Sequence, residues 1–205
     1  MKRRMMTLAL LAAAATLAGC KDSTGDGDGV GSGSVSFTYT GARSGTYSAS
    51  GEFEKLGSGS FVKKSFATGV NLNDANGNVI GILGYVPVTA TTGHQAVLVL
   101  PPVTGGETLE IDPTCEGTTF CPLGLISFNL NPDEQFDDSE GFLFTGGTVH
   151  VTSVANGRLK GTFSGTAVDV TGTQTLTVTN GSFDVPLLPE SQFLAERRRV
   201  LRMLP

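Results

Sequence analysis

Residues 147–170 read GTVHVTSVANGRLKGTFSGTAVDV, and this stretch is the most informative about the fold. Apolar and polar side chains alternate on both sides of the central Asn156 and Gly157, as they do in half-buried strands. An Asn-Gly pair favours a type I′ turn, because both central residues of that turn need positive φ. The stretch therefore predicts a β-hairpin.

The same alternation extends from Val35 to about Pro189. Two runs within it, residues 79–88 and 95–100, are almost continuously apolar, which is typical of strands covered on both faces. No part of residues 35–189 has a convincing helical period. We therefore expect a single all-β domain over these residues, an antiparallel β-sandwich or barrel of about nine or ten strands.

Further turn signals punctuate this domain. Asn76-Gly77 and Asn180-Gly181 repeat the hairpin signal, and 28 of the 205 residues are glycine. Only 16% of the residues are charged, which argues against a helical bundle or a coiled coil. The formal net charge of −5 disfavours a nucleic-acid partner.

The N-terminus has the organisation of a secretory signal. Three basic residues at positions 2–4 precede a run of 14 uncharged residues, 5–18. That run is too short for a transmembrane helix, which needs about 20 apolar residues, and it fits the apolar region of a signal peptide. We expect residues 1–19 to be removed.

The sequence Leu17-Ala18-Gly19-Cys20 resembles the lipobox of bacterial lipoproteins. The resemblance implies that Cys20 is joined to a diacylglyceryl group through a thioether, and that cleavage before it frees an amine for further acylation. Two or three acyl chains of this kind hold a protein stably at a membrane. Lys21, rather than Asp, follows the cysteine, which favours the outer over the inner membrane of the cell envelope.

Two segments flank the β domain. Residues 20–34 comprise Cys20 and a stretch rich in Gly, Ser and Asp without apolar period, which predicts a flexible tether. Residues 190–205, here called the tail, carry four Arg and two Glu and predict a short amphipathic helix. At 100° per residue five of its six larger apolar side chains fall within an arc of about 120°. They are Phe193, Leu194, Val200, Leu201 and Leu204.

The remaining cysteines, Cys115 and Cys121, form an even pair six positions apart in the sequence. A secreted protein meets an oxidising compartment, so we expect a disulfide that staples a surface loop. Zinc would need two more ligands, and the only histidines are His94 and His150.

Candidate catalytic and metal-binding residues are sparse. His150 alternates with apolar neighbours and is expected on the solvent face of its strand, and His94 is expected in a solvated loop at a strand start. An acidic loop follows Pro132, and its carboxylates are weak candidates for calcium. They belong to Asp133, Glu134, Asp137, Asp138 and Glu140. No catalytic motif occurs, and we predict no enzymatic activity and no cofactor.

The C-terminal half contains the patterns Gly161-Thr-Phe-Ser-Gly-Thr-Ala167 and Leu176-Thr-Val-Thr-Asn-Gly-Ser-Phe183. These patterns resemble uncharacterised bacterial lipoproteins, which implies architecture but no activity. We therefore expect a lipid-anchored envelope protein with a non-enzymatic binding or structural module and an unknown envelope or surface partner. The alternatives are a β-barrel carrier of a small apolar ligand and an envelope hydrolase.

Overall fold

The computed structural model describes residues 32–51, 65–74, 77–89, 92–114, 121–130 and 141–191. Residues 192–205, which contain nearly all of the predicted C-terminal helix, lie outside this part of the chain. The prediction of an all-β domain is confirmed. The ten strands are β1 (Gly33–Gly41), β2 (Gly45–Gly51), β3 (Phe66–Asp74), β4 (Gly77–Pro87), β5 (Gly93–Leu100), β6 (Glu107–Ile111), β7 (Leu123–Leu130), β8 (Gly141–Ala155), β9 (Arg158–Asp169) and β10 (Thr175–Leu188).

Seven of these strands close into a barrel in the order β3-β4-β5-β7-β8-β9-β10, and β10 pairs back to β3. The β10–β3 pairing is parallel and involves Leu187 and Leu188, opposite Gly69 and Val70. The other three strands extend the sheet: β1 pairs with β10, β2 with β1, and β6 with β8. Of the two predicted architectures, the molecule adopts the barrel.

The barrel closes at two corners. At each corner one long strand, β8 or β10, pairs with two different strands in succession along the same edge. β10 pairs with β1 over residues 176–184 and with β3 only beyond them. β8 pairs with β7 over residues 141–143 and with β6 over residues 147–151. The corners lie at opposite ends of β8, β9 and β10. We call β3-β4-β5-β7 the four-stranded sheet, and it lies as a second layer against the sheet of long strands.

Of the hairpins predicted from Asn-Gly pairs, one is present in the structure and another is not. Asn156 and Gly157 connect β8 to β9 with φ of 52° and 68°, which confirms the type I′ prediction. The hairpin predicted at Asn180 and Gly181 is wrong, because both residues lie inside β10. Asn180 instead has a φ of 53° at a β-bulge, where the register shifts against both neighbouring strands. Asn76, in the third predicted hairpin, lies outside the described residues.

The main core lies between the two layers. Leu100, Val149 and Leu159 are completely buried there, and Phe37 stacks on Tyr47 with ring centroids 4.7 Å apart. Residues of β5 are buried on both faces of the strand, which confirms the prediction made from the apolar run 95–100. The four-stranded sheet is thus apolar on its inner and its outer surface.

Candidate functional site

The chain enters the barrel at one end, which we call the N-terminal pole and define by Ser32, Arg158, Lys160 and Asp184. Arg158 donates from Nε to Asp184 Oδ1 at 2.7 Å and from Nη2 to the Ser32 carbonyl oxygen at 3.0 Å. Lys160 Nζ lies 2.9 Å from Asp184 Oδ2. These contacts fix the point at which the predicted tether meets β1.

Asp184 is charged in this arrangement. Burial, the largest single influence, raises the pKa of its carboxyl group, but the hydrogen bonds and positive charges of Lys160 and Arg158 together outweigh it, so the pKa lies below its usual range. Between 29% and 49% of each of the three side chains is exposed. Such partly solvated ion pairs contribute about 1 kcal/mol or less to stability, so their main effect is positional.

An aromatic group gathers around Phe128, near the β1–β2 turn. We call it the aromatic pole and define it by Tyr39, Arg43, His94, Phe128 and Phe142. Arg43 Cζ lies 5.0 Å from the Phe128 ring centroid, within range of a cation–π interaction. The His94 ring packs at 77° to the same ring, with centroids 5.1 Å apart. Tyr39 and Phe142 contact Phe128 at centroid distances of 5.2 and 5.9 Å.

The prediction of a solvated loop position for His94 is therefore wrong. His94 belongs to β5 and is half-buried, and its Nδ1 accepts a hydrogen bond from the backbone N–H of Asn129 at 3.1 Å. The prediction for His150 is confirmed, because that side chain is exposed on β8. Its Nδ1 lies 3.0 Å from Thr108 Oγ1 of β6.

The outer face of the four-stranded sheet is the feature that sequence reasoning did not recognise as a site. Period-2 alternation places one set of side chains from each of its strands on this face. The buried apolar members form a cluster separate from the main core, and Leu72 and Leu123 pack at its margin. The cluster contains Phe66, Val79, Leu83, Tyr85, Val97, Val99 and Leu125.

A row of polar groups crosses this apolar face. Tyr85 of β4 lies opposite Gln95 of β5, and Gln95 lies opposite Ser127 of β7. Each of the three residues is 1% exposed. The Tyr85 hydroxyl, Gln95 Nε2 and Ser127 Oγ have no hydrogen-bond partner in the described part of the chain. Buried polar groups in that state cost about 1–3 kcal/mol each, so this row is the most unusual chemical feature of the barrel.

Tyr85 is held in place by its neighbours. Its ring stacks on Phe66 at a centroid distance of 5.8 Å and an interplanar angle of 18°. It also covers Gly93, where a Cβ atom would lie 2.3 Å from the tyrosine ring and hydroxyl. Burial raises the pKa of Tyr85, so the hydroxyl remains protonated at neutral pH. The phenol can therefore both donate and accept a hydrogen bond.

A cavity in the barrel interior is small. It has a volume of about 10 Å³ and is lined by Phe37, Ile82, Leu98, Phe144 and Phe163 among others. Such a volume holds at most one water molecule, and the lining offers it no polar partners. A drug-sized ligand needs a pocket of roughly 300 Å³ or more. This cavity is therefore not the ligand site that the carrier alternative requires.

Several residues singled out in the sequence lie outside the described part of the structure. Cys20 and residues 192–205 of the tail are among them. Cys121 is described but Cys115 is not, so their disulfide stays a prediction. The calcium candidates Asp133, Glu134, Asp137, Asp138 and Glu140 all fall in residues 131–140, which lie outside the described ranges and connect β7 to β8.

Asp169, at the end of β9, has a structural role that the sequence did not reveal. Its carboxylate accepts hydrogen bonds from the Thr171 hydroxyl and from the backbone N–H groups of Thr173 and Gln174, at 2.5, 2.8 and 2.9 Å. The bond from Thr171, followed by that from Gln174, lowers the pKa of Asp169. The carboxylate thereby shapes the β9–β10 turn.

Within the described ranges, no group of three or more His, Cys, Asp or Glu side chains is placed to hold a metal ion. The same residues contain no helix long and apolar enough to cross a membrane. Comparison of the chain with family models, curated proteins and solved structures gives no match.

Proposed function

We propose that this chain is a lipid-anchored protein of the bacterial cell envelope, attached through Cys20, whose β-barrel is a non-enzymatic binding or structural module. Its partners are the membrane, reached through the anchor, and an envelope or surface component. The residue that follows the anchor, Lys21, favours the outer membrane. Neither a nucleic acid nor a cofactor takes part.

The fixed position of Ser32 is the observation that carries the proposal. Ser32 lies twelve positions after Cys20, and an extended chain of that length spans at most about 40 Å. Because Arg158 holds the Ser32 carbonyl at 3.0 Å, the N-terminal pole stays within that distance of the lipid surface. In the proposal, the barrel is a rigid module displayed on a short tether.

A binding module is favoured over the two alternatives. A carrier of a small apolar ligand needs an interior chamber, and the cavity around Phe163 measures about 10 Å³. A hydrolase needs an activated nucleophile, and the Thr108 hydroxyl lies 3.0 Å from His150 Nδ1. Activation also needs a third group that orients the base, and among the described residues no carboxylate contacts His150. A binding or structural module, by contrast, requires neither an interior chamber nor an activated nucleophile, only a scaffold such as the closed barrel.

Membrane fractionation of Cys20→Ala tests the proposal. We expect the wild-type chain in the detergent-extractable membrane fraction and the variant in the soluble fraction or as an unprocessed precursor. Gly19→Ala is the matched control, because alanine is also small at that position and leaves Cys20 intact. Membrane association of a Cys20→Ala chain from which residues 1–19 have been removed would refute the anchor, and the loss of association in both variants would assign the effect to secretion instead.

A further inference from the structure

We infer that residues 192–205, the part of the C-terminal tail beyond the described residues, form the layer that covers the outer face of the four-stranded sheet. The inference concerns the tail and the barrel alone and does not depend on the lipid anchor. It assigns an occupant to a surface that the described strands leave without one.

The burial of the outer face calls for a covering layer. Leu83, Val97 and Val99 have exposed fractions of 5%, 4% and 2%, although the described members of their cluster all come from the four-stranded sheet itself. Side chains on one surface of a sheet stay solvated unless a second layer packs on them. The main core cannot be that layer, because it lies on the opposite surface of the same strands.

The end of β10 directs the chain onto this face. Leu187 packs against the main core, so Leu188, the next residue in the strand, faces the other way. Leu188 pairs with Val70 of β3, and the two residues are 7% and 5% exposed. Residues 192–205 therefore begin four positions beyond a side chain that already lies at the edge of the outer face.

The length of the tail matches the width of the sheet. Fourteen residues remain after Ser191, and as a helix they would extend about 21 Å. Four strands at a spacing of about 4.8 Å are about 14 Å across between the outermost axes. A single helix can thus cross from β3 to β7, with Phe193 near the start and Leu204 near the end.

Pattern and charge agree with this placement. The apolar arc of the tail faces an apolar surface, and its arginines are on or beside the opposite side, except Arg197, whose long aliphatic stem allows its charge to reach solvent. The tail has a formal charge of +2, and residues 21–189 have a formal charge of −10. Electrostatic attraction therefore favours docking on the chain's own barrel.

The connection between β2 and β3, residues 52–64, is a less suitable occupant. The backbone N–H of Ser50 donates to Ser65 Oγ at 2.9 Å, so the two ends of this 13-residue connection are held together at one corner of the sheet. A chain that leaves and returns at one corner has to cross the face twice. The tail has one attachment point and crosses it once.

Photo-crosslinking of the full-length chain tests the assignment. Phe193 is replaced by p-benzoylphenylalanine, and adducts are located by mass spectrometry after proteolysis. We expect adducts within the same chain to peptides of β4, β5 or β7, such as those with Leu83, Val97 or Leu125. The same probe at Ser182, exposed on β10, should give none of these. Adducts only to lipid, residues 52–64, a second copy or another protein, or no adduct, would overturn the assignment.

A substitution pair provides a second readout. Leu201→Asp places a charge in the apolar arc, whereas Arg198→Asp introduces a larger charge change outside that arc in the same helix. We expect Leu201→Asp to increase the fluorescence of an added hydrophobic dye roughly twofold or more, because the outer face becomes exposed. Arg198→Asp should leave it near the wild-type value. Equal responses of the two variants would contradict the assignment, and circular dichroism establishes that both variants are folded.

Discussion

Tyr85 and Gln95 lie directly opposite each other on β4 and β5, and both are buried on the outer surface of the barrel wall. The Tyr85 hydroxyl and Gln95 Nε2 have no hydrogen-bond partner in the residues that the structure describes. A sheet selected for stability alone would place apolar side chains here. These two buried polar side chains therefore indicate that packing is not the only constraint on the sequence of the outer face.

Tyr85→Phe is expected to leave the free energy of unfolding unchanged or to increase it by up to about 1 kcal/mol, because it removes a buried hydroxyl that has no partner. Urea denaturation measures the change. Thr171→Val is the contrasting control, because its hydroxyl donates to Asp169, and that variant should be less stable. A loss of more than about 1 kcal/mol in Tyr85→Phe would show that the hydroxyl does have a partner.

Alkaline pH should destabilise the barrel through its buried tyrosines. Burial raises the pKa of Tyr47 well above its ordinary value of 10.0, and burial also raises the pKa of Tyr85. The contribution of the two neutral tyrosines to the free energy of unfolding is fully present below pH 10. It is lost as the pH rises from there towards the folded-state pKa values. Each tyrosine contributes a slope of at most about 1.4 kcal/mol per pH unit.

The measurement is the urea midpoint between pH 8 and pH 11. The double variant Tyr47→Phe, Tyr85→Phe should show a flatter dependence than the wild type above pH 10. An identical slope in both proteins would assign the alkaline transition to other groups.

Asp169→Asn should lower the melting temperature at neutral pH, because the amide nitrogen cannot accept the hydrogen bonds that the carboxylate receives from the β9–β10 turn. The folded-state pKa of Asp169 is lowered from 3.8. Its stabilising effect is therefore present above that pH and is lost as the pH falls through the folded-state value.

Thermal unfolding at pH 7 and at pH 2 measures both effects. The difference between Asp169→Asn and the wild type should be smaller at pH 2. Glu110→Gln, which neutralises an exposed carboxylate on β6, is the charge-matched control and should have little effect. An equal loss at both pH values would show that ionisation of Asp169 is irrelevant to the turn.

Asn180→Val should cost about 1–3 kcal/mol, because Asn180 has a φ of 53° and β-branched residues are strained in that conformation. Thr179→Val, at the neighbouring position in β10, should be close to neutral. Urea denaturation of the two variants separates backbone strain from the loss of polarity. An equal loss of stability in the two variants would show that the backbone conformation at the bulge is not the cause of the destabilisation.

Much of the fold follows from local patterns, and the exceptions have physical causes. Alternation identifies the strands, and Asn156-Gly157 forms the predicted hairpin because its flanking strands are adjacent in sequence. Asn180-Gly181 carries the same local signal but lies in a bulge of β10. The strand continues through this pair because β10 is paired on one side with β9 and on the other with β1. Pairing of strands distant in sequence is not encoded in any short segment.

The candidate site was harder to predict for the same reason. The run of residues 95–100 correctly indicates a strand buried on both faces, and Gln95 at its start is a visible polar exception. Nothing local, however, aligns Gln95 with Tyr85 and Ser127, since this row depends on the register of three strands. The sequence does not reveal the half-buried position of His94, because the contact of this side chain with Phe128 joins β5 to β7.

The mass of the N-terminal peptide of the mature, membrane-extracted protein tests the central proposal most directly. We predict a peptide that begins at Cys20 and carries a thioether-linked diacylglyceryl group, with or without a further acyl chain on its amine. A mature chain that begins elsewhere, or a peptide with unmodified Cys20, would contradict the proposal that this barrel is held at a membrane by a lipid anchor.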